Sequence, residues 1–275
     1  MNRFKGLMAG AIASTSLFAL ASTAHAATLR ITVNNLSPDN GTALTPTWFG
    51  IHDGTFDLYN RGEAVTEGLE RLAEDGIVDA LNAEFDAFGA GSVQGFITGP
   101  EGTPGPIDPG ETTSFLVDVD ATDASSRYFS YAAMVLPSND FFIANGDPLA
   151  NQIFDDAGNF LGADFVVTGQ QVLDAGTEVN DEVPENTAFF GQTVPDTGVV
   201  EGGVVELATG FIPGGNILSS PEFFNGDFTV DGYNVARFQV ELVDDGGAAS
   251  VPEPGSVLAL LGVGGFLLKR RFQRG

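Results

Sequence analysis

The chain has no cysteine, two histidines and few basic residues, 11 Lys+Arg against 37 Asp+Glu in 275 residues. Without cysteine there is no thiol nucleophile, no disulfide framework and no thiolate metal site. His25 lies in the N-terminal leader described below, so the body keeps only His52, which excludes a His-rich zinc site. A Ser-His-Asp triad would have to run through His52, and no G-x-S-x-G elbow supplies its nucleophile. No G-x-x-x-x-G-K-[ST] phosphate loop occurs either. Between Ala27 and Ser250 there is no lysine, and the basic residues are Arg30, Arg61, Arg71, Arg127 and Arg237. All acids but Glu253 fall in this span, so it carries 36 carboxylates against five guanidinium groups, a formal charge of −31. Such a surface repels phosphate, which excludes nucleic acid and anionic membrane surfaces as partners; it attracts multivalent cations and basic partners.

What is present is enough to fold. The 23 Phe, with many Val and Leu, supply a sizeable core in spite of the charge. Both ends have the form of addresses. Residues 1–26 read as a signal peptide: Arg3 and Lys5, an apolar run from Leu7 to Leu20, then Ala24-His25-Ala26, a small-x-small site for signal peptidase with cleavage after Ala26. At the other end Pro252-Glu253-Pro254 is followed by an apolar stretch from Val257 to Leu268 and by Lys269-Arg270-Arg271. Physically this is a stop-transfer tail, suited to transient anchoring through residues 257–268. Its order resembles the PEP-CTERM sorting signal. That resemblance implies a Gram-negative-type envelope, an exosortase as processing partner, and a destination at the cell surface or outside the cell.

The body, residues 27–245, alternates short β-prone runs with Gly- and Pro-rich turns. Thr28–Val33, Thr47–Ile51, Thr112–Val119, Arg127–Leu136, Ala163–Thr168, Gly203–Leu207 and Asn234–Val243 are predicted strands. Residues 37–46 and the stretch around Gly99-Pro100 and Pro109-Gly110 are predicted loops. From Ala64 to Phe88 the apolar spacing becomes helical, at Val65, Leu69, Leu72, Ile77, Leu81 and Phe85, with a break at Gly76. On that pattern Glu67, Glu70, Glu74 and Asp75 face outward. The pattern predicts an all-β fold, one antiparallel β-sandwich with a short helical insertion. Residues 246–275 form a linker followed by the sorting tail.

His52, next to Asp53 after an apolar strand, reads as a packed structural residue. Carboxylates are so numerous that most must be solvated turn residues. A meaningful set would be one held close by strands: two like charges about 4 Å apart repel by about 4 kcal/mol at an effective dielectric near 20. A cation offsets that repulsion, and hard oxygen donors select Ca²⁺. Two places have the required form. Asp140 ends Pro137-Ser138-Asn139-Asp140 at a strand terminus, and Asp174-Ala175-Gly176-Thr177-Glu178 is a tight turn with acids four apart.

Pro46–Asp53, Gly68–Gly76, Leu136–Asp140 and Asp174–Glu178 also resemble segments of the spondin domain, and the similarity spans most of Thr28–Val243. The resemblance implies a C2-like sandwich. In animal members that sandwich binds one Ca²⁺ through three aspartates, one in a Ser-Pro-Asp segment and two at the ends of Asp-Ala-Gly-Thr-Asp. The matching positions here are Asp140, Asp174 and Glu178, the last a departure from aspartate. The cysteines and thrombospondin repeats of animal members are missing, so their integrin and matrix partners do not transfer. The function expected is a non-enzymatic, secreted or cell-surface adhesion or matrix protein that binds calcium. The alternatives are an exopolysaccharide-binding module, which requires exposed aromatics on a flat sheet face, and a carboxylate hydrolase using Glu74 with Asp75.

Overall fold

Along the first strand, β1 (Ala26–Asn35), Leu29, Ile31 and Val33 are fully buried while Thr28, Arg30 and Thr32 face the other way. This period of two gives a strand one apolar face, and that face must find a second layer. The computed structural model describes residues 26–101 and 105–244; the leader up to residue 25, the linker and Pro252, Glu253 and Pro254 lie outside the described residues. The elements in chain order are β1, β2 (Ala43–Leu44), β3 (Thr47–His52), α1 (Glu67–Asp75), α2 (Asp79–Phe88), β4 (Gly91–Ile97), β5 (Thr112–Asp120), β6 (Tyr128–Leu136), β7 (Phe141–Ala144), β8 (Ala163–Thr168), β9 (Leu173–Asp174), β10 (Glu206–Leu207) and β11 (Asn234–Asp244).

They form two sheets, and every pairing is antiparallel. One is four-stranded in the order β5-β1-β11-β8. The other is seven-stranded, β10-β9-β7-β6-β3-β4 with β2 on β6. The fold is thus the expected all-β sandwich. Between the sheets Leu29, Ile31, Val33, Val117 and Phe238 meet Phe49, Ile51, Phe129, Tyr131 and Phe141. Tyr131 and Phe238 pack closely with their rings tilted by 32°, ring centroids 4.1 Å apart. The long β1–β11 ladder joins the two ends of the body, so residues beyond β7 belong to the same sandwich.

The helices cover the outer face of the larger sheet. Leu69, Leu72 and Ala73 of α1 and Leu81 and Phe85 of α2 pack on Trp48, Ala132 and Phe142, so β6 is buried on both faces. Gly76, predicted as the break, ends α1 in the left-handed conformation at φ 67°, where a side chain is disfavoured. Thr66 caps α1, and Glu84 of α2 accepts from Thr66 Oγ1 and from Gly68 N, both at 2.7 Å.

Four strands fall outside the predicted ones, of which β2 alone lies in a predicted loop and β9 ends where the turn 174–178 begins. β2 lies within residues 37–46, β4 precedes the Gly-Pro segment, and β7 follows Asp140. Of Gly203–Leu207 only Glu206–Leu207 is strand. The outward placing of Glu74 and Asp75 is corrected: only 4 % of each side chain is exposed, because Arg71 draws both carboxylates onto one guanidinium group and the segment around Asp196 packs over them.

Candidate cation site at the sheet rim

Asp140 stands where the chain enters β7, and Asp174 closes β9, the next strand in the same sheet. Antiparallel pairing places Phe141 opposite Asp174 and brings the turn 175–178 against Asp140. Gly176 takes φ 69° there, and a Cβ on it would lie 2.6 Å from Val204 N, so the turn needs glycine. Asp140 is fully buried, yet its carboxylate is well supplied. Oδ2 accepts from Thr177 N (2.8 Å) and Glu178 N (3.1 Å), and Oδ1 accepts from Asn180 Nδ2 (2.7 Å). Asp174 Oδ1 accepts from Gly176 N (2.8 Å), and its Oδ2 accepts from the same Asn180 Nδ2 (3.2 Å). One amide group therefore bridges the two aspartates.

Glu178 contributes its backbone N–H to Asp140, but its side chain runs the other way. Oε1 accepts from Gly198 N at 2.8 Å, and no donor reaches the buried Oε2. A Cβ on Gly198 would lie within 2.3 Å of three atoms of this carboxyl group, so any side chain there would displace it. Among the described residues one group of three carboxylates brings ligand atoms within 4.8 Å of one another, and it is Glu74, Glu178 and Asp196. The structure thus brings Asp140 and Asp174 together and directs the Glu178 carboxylate to a second cluster.

Burial governs the electrostatics of both. It pushes Asp174 up to about 7, with the Asp140 charge adding to the rise, and it raises Asp140 as well. Glu178 is pushed to about 7 by burial, against the pull of the Gly198 N–H; Glu74 reaches about 7 for the same first reason. An all-oxygen donor set, partly desolvated and short of positive charge, suits a hard divalent cation. At Asp140 and Asp174 the Asn180 amide bridges the two carboxylates, whereas at Glu178 the Gly198 N–H meets Oε1 alone.

Other predicted residues fall in simpler roles. His52 is fully buried; Nδ1 accepts from Gly54 N (3.0 Å) and Nε2 lies 2.8 Å from Ser130 Oγ, which makes Nε2 the protonated nitrogen. Burial lowers its pKa to about 4, as suits a neutral structural imidazole. Trp48 is buried, with its Nε1 donating to Asn82 Oδ1 at 3.0 Å. The outer face of the four-stranded sheet carries Arg30, Thr32, Ser114, Leu116, Asp164, Val166, Arg237, Gln239 and Glu241 in register, and no aromatic ring. The platform that a carbohydrate-binding reading requires is therefore missing from that face. Sequence reasoning also missed Glu182, buried with Oε1 on Ile212 N (2.7 Å) and Oε2 on Ile217 N (3.0 Å), a clamp on the loop before β11.

Comparison with protein families agrees with this architecture. The Spondin_N family model matches residues 10–146, and the model of the PEP-CTERM protein-sorting motif matches residues 250–274. The chain is a spondin-domain protein with a C-terminal PEP-CTERM signal. The first match takes in Asp140 and ends after β7, before Asp174 and Glu178. A comparison with curated proteins gives no match. The sorting motif marks a protein processed by an exosortase and placed outside the cell or on its surface in Gram-negative bacteria, and the spondin domain is a binding-type domain.

Proposed function

We propose that this protein is a non-enzymatic binding module of the bacterial cell surface or extracellular matrix, working in adhesion. The observation that carries the reading is the pairing of a spondin domain with a PEP-CTERM signal on one chain. A body with five arginines and a charge of −31 supports it, because such a surface stays soluble and repels other polyanions. Exosortase processing follows removal of the leader by signal peptidase, and the apolar segment 257–268 holds the chain in the membrane between the two cleavages. Intact-mass analysis of the protein from its own host is expected to give a chain that starts at Ala27 and lacks the basic tail. Recovery of Met1 and Gly275 on the exported protein would overturn the processing. For adhesion, deleting the gene is expected to reduce cell–cell or cell–surface attachment, restored by the intact chain and not by one lacking residues 252–275. Unchanged attachment would overturn that part.

Calcium belongs to the same proposal. Asp140 and Asp174 offer oxygens at the sheet rim, and Glu178 is the third donor of the family pattern. A Ca²⁺ held by all three requires Asn180 to release its bridge and Glu178 to leave Gly198. Thermal melting with Ca²⁺ against NaCl of matched ionic strength, on wild type and Asp174→Asn, tests it. A Ca²⁺-specific rise that the variant loses supports the site, and equal shifts in both reject it.

A further inference from the structure

A second group of carboxylates lies beside the rim aspartates and shares only Glu178 with them. Glu74 projects from the last turn of α1, Glu178 from the turn after β9, and Asp196 from the segment that folds over both. That segment is tied down just after Asp196: Gly198 N donates to Glu178 Oε1, Val179 N to Val199 O and Glu201 N to Thr177 O, each at 2.8 Å. Asp196 itself takes φ 58°, and its backbone N–H points to Asp75 Oδ1. The three carboxylates offer oxygens within 4.8 Å of one another. A span of 4.8 Å equals the diameter of a shell of radius about 2.4 Å, a normal Ca²⁺–oxygen distance.

Positive charge is short here. Arg71 reaches Glu74 (3.2 Å), Asp75 and, more distantly, Asp196 (3.9 Å). It makes no ion pair with Glu178, so one guanidinium group serves three carboxylates and leaves the fourth and deepest unserved. Glu178 is 3 % exposed, and its Oε2 is a buried oxygen with no hydrogen-bond partner. Such an oxygen is costly unless something positive meets it. The Asp196 side chain, 78 % exposed, gives the site an opening to solvent.

We infer that Glu74, Glu178 and Asp196 form a cation site for Ca²⁺, separate from the Asp140–Asp174 pair and closed by the segment around Asp196. The ion would tie α1 to the loop that follows β9, across the edge of the larger sheet. It meets the orphaned Glu178 oxygen without disturbing the Gly198 contact, and it leaves Asn180 in place between the two aspartates.

Calorimetric titration of the chelator-stripped full chain with CaCl₂ at fixed ionic strength tests the inference, with near-ultraviolet circular dichroism to verify folding. Wild type is expected to bind Ca²⁺, Asp196→Asn to weaken that binding tenfold or more, and Asp174→Asn to keep the affinity within about twofold. Glu178→Gln is expected to abolish binding; if that variant fails to fold, Asp196→Asn decides the matter, because an exposed side chain does not hold up the fold. Identical isotherms for wild type and Asp196→Asn would overturn the site, as would absence of wild-type binding at millimolar Ca²⁺. Loss in Asp174→Asn alone would also overturn it and place the ion in the rim pair, so the two calcium proposals fail separately.

Discussion

The space between the sheets and the carboxylate cluster under residues 194–198 both bury side chains, and they are built on opposite terms. Between the sheets Phe49, Phe129, Tyr131 and Phe238 interlock without a charged group among them. Under the loop Glu74 and Glu178 are as well buried as those rings. The first region is held by apolar area, which is non-directional and tolerant of the partner's identity. The second is held by single N–H groups aimed at single oxygens, so each residue there has a specific reason to be what it is. Burial alone therefore says little about what a region does. The donors and charges that meet the buried group say more.

The contrast is sharpest in large-to-small substitutions. Phe238→Ala is expected to cost about 3–5 kcal/mol through the cavity it leaves, and to leave the Ca²⁺ affinity of the correctly folded fraction unchanged. Urea unfolding measures the first and calorimetry the second. If Phe238→Ala abolishes Ca²⁺ binding in folded protein, the two regions are not independent. Next comes Asp140→Ala, expected to cost about 3 kcal/mol, because it strands the N–H groups of Thr177, Glu178 and Asn180 that now point at one carboxylate. Asp140→Asn keeps an acceptor and should lose less. An equal loss in both variants would mean that the charge, and not the hydrogen bonding, matters.

Gly198→Ala is a smaller perturbation, expected to cost about 1–3 kcal/mol as the new methyl group displaces the Glu178 carboxyl. Combining it with Glu178→Ala should recover part of the loss; strictly additive losses would show that the contact is not the cause.

The pH dependence follows from the same region. Glu74, Asp174 and Glu178 titrate near 7 in the fold and near the ordinary carboxyl values when unfolded, so the native state holds more protons between about pH 4.5 and 7. Their contribution to stability is present below the unfolded values and is lost as pH rises through 7. His52 works in the opposite sense: its folded value is depressed to about 4, so its contribution is lost as pH falls from 6.5. In chelator, melting temperature should therefore fall between about pH 5.5 and 8. A rise across that range would show that the carboxylates are solvated and that the two regions are not alike in burial. The least effect is expected from Arg237→Ala, whose ion pair with Asp164 is exposed on both sides and screened by solvent. A loss as large as that of Asp140→Ala would mean that surface charge, too, holds this sandwich together.

The period of two in Thr28–Val33 and the 3.6 period from Val65 to Phe85 determined the sandwich and its helical cover, because each pattern commits one face to burial wherever the rest of the chain lies. Gly76 marked the helix break by its conformational freedom. Pro252-Glu253-Pro254 with its apolar and basic followers determined the sorting signal, since such an address is read as linear sequence. The short strands β2, β4 and β7 were illegible, being two to seven residues long or containing glycine, and they exist only because a neighbouring strand offers a ladder. The Asp140–Asp174 pair was legible as two turn acids near strand ends. The partners of Glu178 were not. Glu74 is 104 positions before it and Asp196 is 18 after, and on a helical wheel Glu74 belongs to the wet face. Only the tertiary structure decided that a loop of Pro195, Asp196, Thr197 and Gly198 would fold over that face, because what buries a charge is the chain packed against it and not the local pattern that carries it.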